Sequence, residues 1–197
     1  MGFVHSIIHT WGSTQPEREQ AYPCDRFVPA PNGVCFRAID VAAPVPLTFA
    51  WLCQLRVAPY SYDWLDNFGR RSPRLRDSNL TQLALGQPVM RIFRLRDFAP
   101  NDQLTAVIET TRVFGKLAIT YRVRPRADGS RIVVKMVFRL ARCAPMRFIL
   151  PPGDLFMMHK QLRTLKHLAE REHARCFAAS GARATEATSH TGTVQRP

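Results

Sequence analysis

Two neighbouring segments that alternate between apolar and polar residues constrain the fold of this chain most. Residues 116–124 and 131–140 each place apolar side chains at every second position, and an Asp128-Gly129 pair typical of hairpin turns lies between them. The apolar set is Leu117, Ile119, Tyr121, Val123, Ile132, Val134, Met136, Phe138 and Leu140. The pattern predicts an antiparallel sheet with one apolar face and one face exposed to solvent. Residues such as Thr120, Arg122 and Lys135 would lie on the solvent face.

Three further segments have the composition of strands. Residues 34–41 follow the turn signal Pro31-Asn32-Gly33, and residues 104–111 alternate again. Residues 89–98 are also strand-like, but their alternation breaks at Ile92 and Phe93, which predicts a bulge. Together with the hairpin, these segments predict five strands.

A long helix is predicted after the sheet. Pro151, Pro152 and Gly153 would end the sheet region, and Asp154 would cap a helix that runs to about Cys176. Its apolar stripe is Leu155, Met158, Leu162, Leu165 and Leu168. Because these positions are three or four residues apart, they share one face, and that face must pack against another apolar surface.

Residues 44–74 combine an apolar helix with an aromatic turn. Leu47, Trp51 and Leu55 recur every four residues, which predicts a helix over about 46–57. The following segment, from Tyr60 to Asn67, contains three aromatic residues and predicts a short second helix that ends at Gly69. We expect this aromatic turn to lie at a binding site.

The composition predicts one globular domain. We expect residues 22–177 to form it, residues 1–21 to be a flexible arm, and residues 178–197, which lack large apolar side chains, to be a disordered tail. Five cysteines without metal-ligand spacing predict reduced thiols, no metal and no cofactor. No segment has the length and hydropathy of a membrane span, so a cytoplasmic protein is expected. The oligomeric state is left open.

The order of these elements, and above all the segment APVPLTFAWLCQLRVAPYSYDWLDNFGRRSP after a first strand, resembles the START/Bet v 1-like (SRPBCC) superfamily, which includes polyketide cyclase-like and lipid-transfer proteins. The resemblance covers about residues 30–177. It implies an α+β helix-grip fold, in which a curved antiparallel sheet wraps around a long C-terminal helix and two short helices follow the first strand. It also implies an apolar tunnel between sheet and helix. That family usually has six or seven strands, whereas five are predicted here.

The first functional hypothesis is that the protein binds or transports a hydrophobic small molecule, such as a lipid, a polyketide or another aromatic compound. Apolar walls with a few polar groups are what such a cavity requires, and methionine adapts to irregular ligands. The predicted ligand-binding residues are Trp51, Tyr60, Tyr62, Trp64, Ile119, Tyr121, Met136, Phe138, Phe156, Met158 and Leu162. The alternative for each of these residues is that it fills a solid core.

The second hypothesis is an enzyme of the cyclase or aromatase type. Tyr62, Asp63, Tyr121 and Arg91 are the candidate catalytic residues, because they would supply phenols, a carboxylate and a cation for proton transfer. No spacing in the sequence requires catalysis, and Asp63 could simply cap a helix.

The third hypothesis concerns the formal net charge of +13. Arg70, Arg71, Arg74 and Arg76 form a basic cluster beside the aromatic turn and would bind an anionic membrane surface. No motif of a nucleic-acid-binding protein is present in the sequence, so no nucleic-acid partner is expected. A solvated basic surface without a partner explains the charge equally well.

Overall fold

The computed structural model describes residues 9–61, 71–111, 115–139 and 144–189. The helices that lie wholly within this part of the chain are α1 (Gln15–Glu19), α2 (Val45–Cys53) and α3 (Ala144–Ser189). Six strands are present: β1 (Gly33–Val41), β2 (Pro88–Val89), β3 (Phe93–Ala99), β4 (Gln103–Thr111), β5 (Gly115–Arg126) and β6 (Gly129–Arg139). Short 3-10 helices occupy Pro23–Phe27, Gln54–Arg56 and Ser78–Thr81.

The six strands form one antiparallel sheet in the order β1-β6-β5-β4-β3-β2. The β5–β6 hairpin turns at Ala127-Asp128, one residue before the predicted Asp128-Gly129 turn, because Gly129 already pairs with Arg126. The register of the hairpin pairs Tyr121 with Val134 and Leu117 with Phe138. Helices α2 and α3 pack on one face of this sheet. The predicted α+β helix-grip architecture, an antiparallel sheet that holds a long C-terminal helix, is therefore confirmed.

The predicted strand over residues 89–98 is two strands. Met90 and Arg91 both have positive φ angles, 45° and 66°, so the backbone turns sharply between β2 and β3. The Met90 amide donates to the carbonyl of Leu55 at 2.7 Å instead of to a neighbouring strand. The break in alternation at Ile92 and Phe93 therefore marks a tight turn, and the described chain has six strands where five were predicted.

Helix α2 agrees with the predicted helix over 46–57 except in its last turn, which is the 3-10 helix Gln54–Arg56. Six of its nine residues are buried, so the helix is covered on most sides. The second short helix, predicted from Tyr60 to about Gly69, lies from residue 62 onward outside the described residues.

Helix α3 is longer than predicted at both ends. It begins at Ala144 and passes through Pro151 and Pro152, because a proline removes a backbone donor and bends a helix without always ending it. It continues to Ser189, where a disordered tail was expected from residue 178. The loss of apolar residues there indicated a lack of burial, but Ala178, Ala179 and the alanines after them favour a helix without it.

The main core lies between the sheet and helices α2 and α3. It includes the predicted stripe residues Met158, Leu162, Leu165 and Leu168, all buried. These face the alternating residues of β5 and β6, from Leu117 to Phe138. The apolar face of the sheet and the apolar stripe of the helix therefore bury each other, as their patterns require.

The opposite face of the sheet is also covered, contrary to the prediction of a solvent face. A second buried cluster joins Tyr22, Cys24 and Val28 to Val133 and Val137. The polar residues predicted to face solvent are covered there too: Thr120 is fully buried and accepts from the Cys24 amide at 3.0 Å, and the Arg122 guanidinium lies 4.3 Å from the ring centre of Tyr22.

The segment over residues 9–28 provides this cover, which differs from the flexible arm predicted for residues 1–21. The Ala38 amide of β1 donates to the carbonyl of Trp11 at 3.0 Å. The side chain of Arg131 on β6 binds both carboxylate oxygens of Glu17, at 2.5 and 3.1 Å, and donates to the carbonyl of Gly12. The described part of the arm is therefore attached to the sheet by hydrogen bonds and an ion pair.

None of the helices in the described residues combines the length and the hydropathy that crossing a bilayer would require.

Candidate functional site

The interior between the sheet and α3 contains most of the predicted ligand-binding residues that the structure describes. Trp51, Tyr60, Ile119, Tyr121, Met136, Phe138, Met158 and Leu162 all belong to the main buried cluster. Phe156 is outside this cluster and 60% exposed, because each residue turns a helix by about 100° and two residues move Phe156 to nearly the opposite side from Met158. Tyr62, Asp63, Trp64 and Arg70 lie outside the described residues.

A polar group lies in the middle of this apolar interior. The hydroxyl of Tyr121 donates to the side-chain oxygen of Gln161 at 2.7 Å, and Tyr121 and Gln161 are 0% and 3% exposed. The Gln161 amide nitrogen donates in turn to the backbone carbonyl of Pro59 at 2.6 Å. This chain of hydrogen bonds connects β5, α3 and the segment that follows α2. It satisfies groups that would be costly to bury without partners.

Two methionine side chains flank this polar pair. The sulfur atoms of Met90 and Met158 each lie 3.7 Å from the hydroxyl of Tyr121, and the Met90 sulfur lies 3.2 Å from the amide nitrogen of Gln161. Thioethers are weak acceptors and methionine changes rotamer readily, so the surroundings of the pair are both apolar and adaptable.

Gln161 was not among the predicted site residues, although the sequence contains a signal for it. It lies three residues after Met158 and four before Leu165, which places it on the buried stripe of α3. A glutamine on an apolar stripe needs a buried partner, and Tyr121 is the polar residue on the opposing apolar face of the sheet. The two exceptions to the apolar pattern, one on the helix and one on the strand, meet in the structure.

Trp51 and Tyr60, two of the predicted ligand-binding residues, lie deep in the interior. Their rings meet edge to face, with centres 6.3 Å apart and planes at 89°. Tyr60 has a φ angle of +57°, a conformation that non-glycine residues adopt at a cost. The tight turn after Pro59 directs the Tyr60 ring into the core, where the residue is 1% exposed.

Arg91 lies at the β2–β3 turn, where it is exposed and outside the buried cluster that contains Tyr121. Its neighbour Met90 is the residue of that turn that contacts the pair. Of the four candidate catalytic residues, only Tyr121 therefore lies in the described interior.

The basic residues near the aromatic turn face outward. Arg71 and Arg74 are exposed, whereas Arg76 is half-buried and donates to Glu172 of α3 through two nitrogens, at 2.8 and 3.1 Å. The hydrogen bond with Glu172 raises the pKa of Arg76 above its usual value, so the guanidinium is permanently charged. Glu172 also accepts from the indole nitrogen of Trp51 at 2.9 Å.

The sulfur of Cys35 lies 3.7 Å from Nδ1 of His9, whereas two other described cysteines are unsuited to nucleophilic chemistry at neutral pH. Burial raises the pKa of Cys24 to about 11 and that of Cys53 to about 12, so both thiols stay protonated at neutral pH. Across residues 9–61, 71–111, 115–139 and 144–189, no cluster of three or more histidine, cysteine or acidic side chains could hold a metal ion.

No family model and no curated protein matches this sequence. Solved structures match it at low identity. Protein CV1439 from Chromobacterium violaceum is 13% identical, with 70% of this chain and 96% of that chain covered and a TM-score of 0.45. StfQ, a di-domain ARO/CYC from the steffimycin biosynthetic pathway, is 13% identical, with 71% of this chain and 51% of StfQ covered and a TM-score of 0.43. DynU16 from the dynemicin biosynthetic locus is 16% identical, with 68% of this chain and 48% of DynU16 covered and a TM-score of 0.45. At these identities and TM-scores, the likeness does not assign a function.

Proposed function

We propose that the protein binds a hydrophobic small molecule between the sheet and α3, as a lipid, polyketide or aromatic carrier of the START/Bet v 1-like type. The observation that carries this proposal is the buried Tyr121–Gln161 pair flanked by the thioethers of Met90 and Met158. An otherwise apolar site with one fixed polar group is suited to a ligand that is mostly apolar and has one oxygen or hydroxyl.

The Tyr121–Gln161 pair supplies orientation in this proposal. Tyr121 presents a hydroxyl and Gln161 an amide, and both are held in place by the hydrogen bond to the Pro59 carbonyl. A ligand oxygen could accept from Tyr121 in place of Gln161, so the pair can exchange an internal hydrogen bond for one to the ligand. When the ligand oxygen is a hydroxyl, it can donate in turn to the side-chain oxygen of Gln161, so that no buried polar group is left without a partner and the cost of the exchange stays low.

The two methionines supply the space. Because a methionine side chain has several rotatable bonds and no branch at its β-carbon, Met90 and Met158 can change rotamer to admit a ligand beside the pair. The aliphatic residues around them, such as Ile119 and Leu162, would then contact the apolar part of the ligand.

The test is a titration of the full chain with Nile red, a neutral apolar dye that the basic surface does not attract. We expect saturable binding by the wild-type protein and about tenfold weaker binding by Met158→Trp, because the larger ring occupies the space beside the pair. Thr105→Val is the matched control. The Thr105 hydroxyl is buried on the face of the sheet opposite to Tyr121, where it forms a hydrogen bond of 2.8 Å with the hydroxyl of Thr120.

Retention of the dye by Thr105→Val and its loss in Met158→Trp would support the site. The proposal fails if the wild-type protein does not bind the dye, or if both variants bind it as tightly as the wild type does. Circular dichroism of each variant establishes that the fold is retained.

A further inference from the structure

A cavity lies on the surface, on the outer side of Trp51. It has a volume of about 310 Å³ and lies between the segment from Arg74 to Arg76 and residues 168–175 of α3. Four arginines line it: Arg74, Arg76, Arg171 and Arg175. Trp51 and Leu168, both buried, form its apolar floor. We call it the arginine cleft.

The charges of the arginine cleft are unbalanced. Glu172 is the single acidic residue in its lining, and that carboxylate already pairs with Arg76 and accepts from the indole of Trp51. The ion pair fixes Arg76 beside the floor of the cleft. Three further guanidinium groups then face the same small volume without an opposing charge in the lining.

The remaining arginines have few internal contacts. Arg171 donates to the backbone carbonyl of Arg74 at 2.7 Å, which joins the loop to the helix but does not neutralise either charge. Within the described residues, no side-chain acceptor is in hydrogen-bond reach of Arg74 or Arg175, and both residues are exposed. Like charges gathered in this way repel each other, and an anion bound among them would remove that cost.

We propose that the arginine cleft binds a phosphate group carried by an organic molecule. The planar fork of an arginine side chain matches the oxygens of a phosphate, and several forks around one cavity can contact the same group. The apolar floor of Trp51 and Leu168 would contact the organic part. This proposal goes beyond the binding of an apolar molecule in the interior and does not depend on it, because the cleft is on the outer side of Trp51.

The phosphate group could belong to a soluble ester or to a phospholipid head group, and two probes distinguish these sources. Isothermal titration calorimetry measures binding of pyrophosphate to the full chain. Co-sedimentation measures binding to phosphatidylcholine vesicles with and without phosphatidic acid.

The variant Arg74→Gln/Arg175→Gln removes two exposed charges that the fold does not use. Arg163→Gln together with Arg94→Gln is the control, because both residues are exposed, removing them changes the net charge equally, and neither lines the cleft.

We expect the wild-type protein to bind at least one of the two probes, and the cleft variant to bind it at least about tenfold more weakly, as loss of charge-assisted hydrogen bonds requires. The control variant should bind within about twofold of the wild type in low-salt buffer. Binding of pyrophosphate assigns the cleft to soluble phosphate esters, and binding of the acidic vesicles alone assigns it to a lipid head group. Equal weakening by the cleft and control variants, or no binding of either probe, would overturn the proposal.

Discussion

The Tyr121–Gln161 hydrogen bond makes a quantitative prediction about stability. Gln161→Leu keeps the size and position of the side chain but removes both of its hydrogen bonds, to the hydroxyl of Tyr121 and to the carbonyl of Pro59. Tyr121→Phe removes only the hydroxyl, which leaves the side-chain oxygen of Gln161 without this donor. Both sites are in the buried interior, so water cannot fully replace the lost partners.

The magnitudes follow from the number of buried groups that lose a partner. Each such group costs about 1–3 kcal/mol, so Gln161→Leu, which affects two, should lower the free energy of unfolding by about 2–6 kcal/mol. Tyr121→Phe affects one and should cost about 1–3 kcal/mol. The double variant leaves only the Pro59 carbonyl without its donor, because leucine and phenylalanine then pack as apolar neighbours. Two fewer groups lose a partner in it than in the single variants combined, so it should be less destabilised than the single changes added together, by about 2–6 kcal/mol.

Urea unfolding of the wild type, both single variants and the double variant measures these four free energies. The slope of each unfolding curve should be unchanged, so that the differences in midpoint report stability. Strict additivity of the two changes would refute the reasoning, because it would mean that Tyr121 and Gln161 do not share an energetically significant bond. A double variant less stable than the additive sum would refute it equally.

Two further predictions concern the segment that covers the outer face of the sheet. Burial raises the pKa of Glu17 and hydrogen bonds from Arg131 lower it, with a net result below the usual 4.5. The charge of Glu17 therefore stabilises the fold above pH 4.5, and this contribution is lost as the pH falls through the lowered pKa. Unfolding midpoints measured across this pH range should show the stability difference between wild type and Glu17→Gln disappear. A difference that persists at lower pH would contradict the prediction. Gly12→Ala should destabilise by at least about 1 kcal/mol more than Gly86→Ala in urea unfolding. Both glycines have positive φ, but only at Gly12 would the new methyl group clash with a backbone oxygen, that of Ala38. An equal loss of stability in the two variants would indicate that the segment over residues 9–28 does not pack on the sheet as described.

The strands and helices with regular patterns were predictable from the sequence. Alternation over 116–124 and 131–140 identified β5, β6 and their turn, and the spacing from Met158 to Leu168 identified the buried face of α3. These patterns are informative because each repeats over several turns or residue pairs, so that a single exception does not obscure them. The helix-grip architecture follows from the need of these two apolar faces to cover each other.

The cover on the outer face of the sheet was not predictable in the same way. It consists of α1, the 3-10 helix Pro23–Phe27 and single residues such as Tyr22, none long enough to show a period. Thr120 and Arg122 were interpreted as solvent-facing because they are polar, but Thr120 accepts from a backbone amide and Arg122 stacks on the Tyr22 ring. Burial of polar side chains through such long-range partners leaves no local signal.

The sequence predicted most of the apolar residues of the candidate site but only part of the contacts around its polar pair. Tyr121 and Met158 were identified from the faces of β5 and α3, and the structure places them 3.7 Å apart, hydroxyl oxygen to sulfur. Gln161 and Met90 were missed, because the first was treated as one polar residue of a helix and the second as part of a continuous strand. The contact of Met90 with Tyr121 depends on the turn between β2 and β3, which the sequence suggested only as a break in alternation.

Native mass spectrometry of the full chain tests the central proposal most directly, when combined with organic extraction of whatever co-purifies. If the interior beside Tyr121 and Gln161 binds a hydrophobic molecule, the wild-type protein should carry an extractable apolar compound or take up Nile red with one-to-one stoichiometry. Met158→Trp should carry neither. An unliganded mass for the wild-type protein, both as purified and after incubation with the dye, would contradict the proposed function.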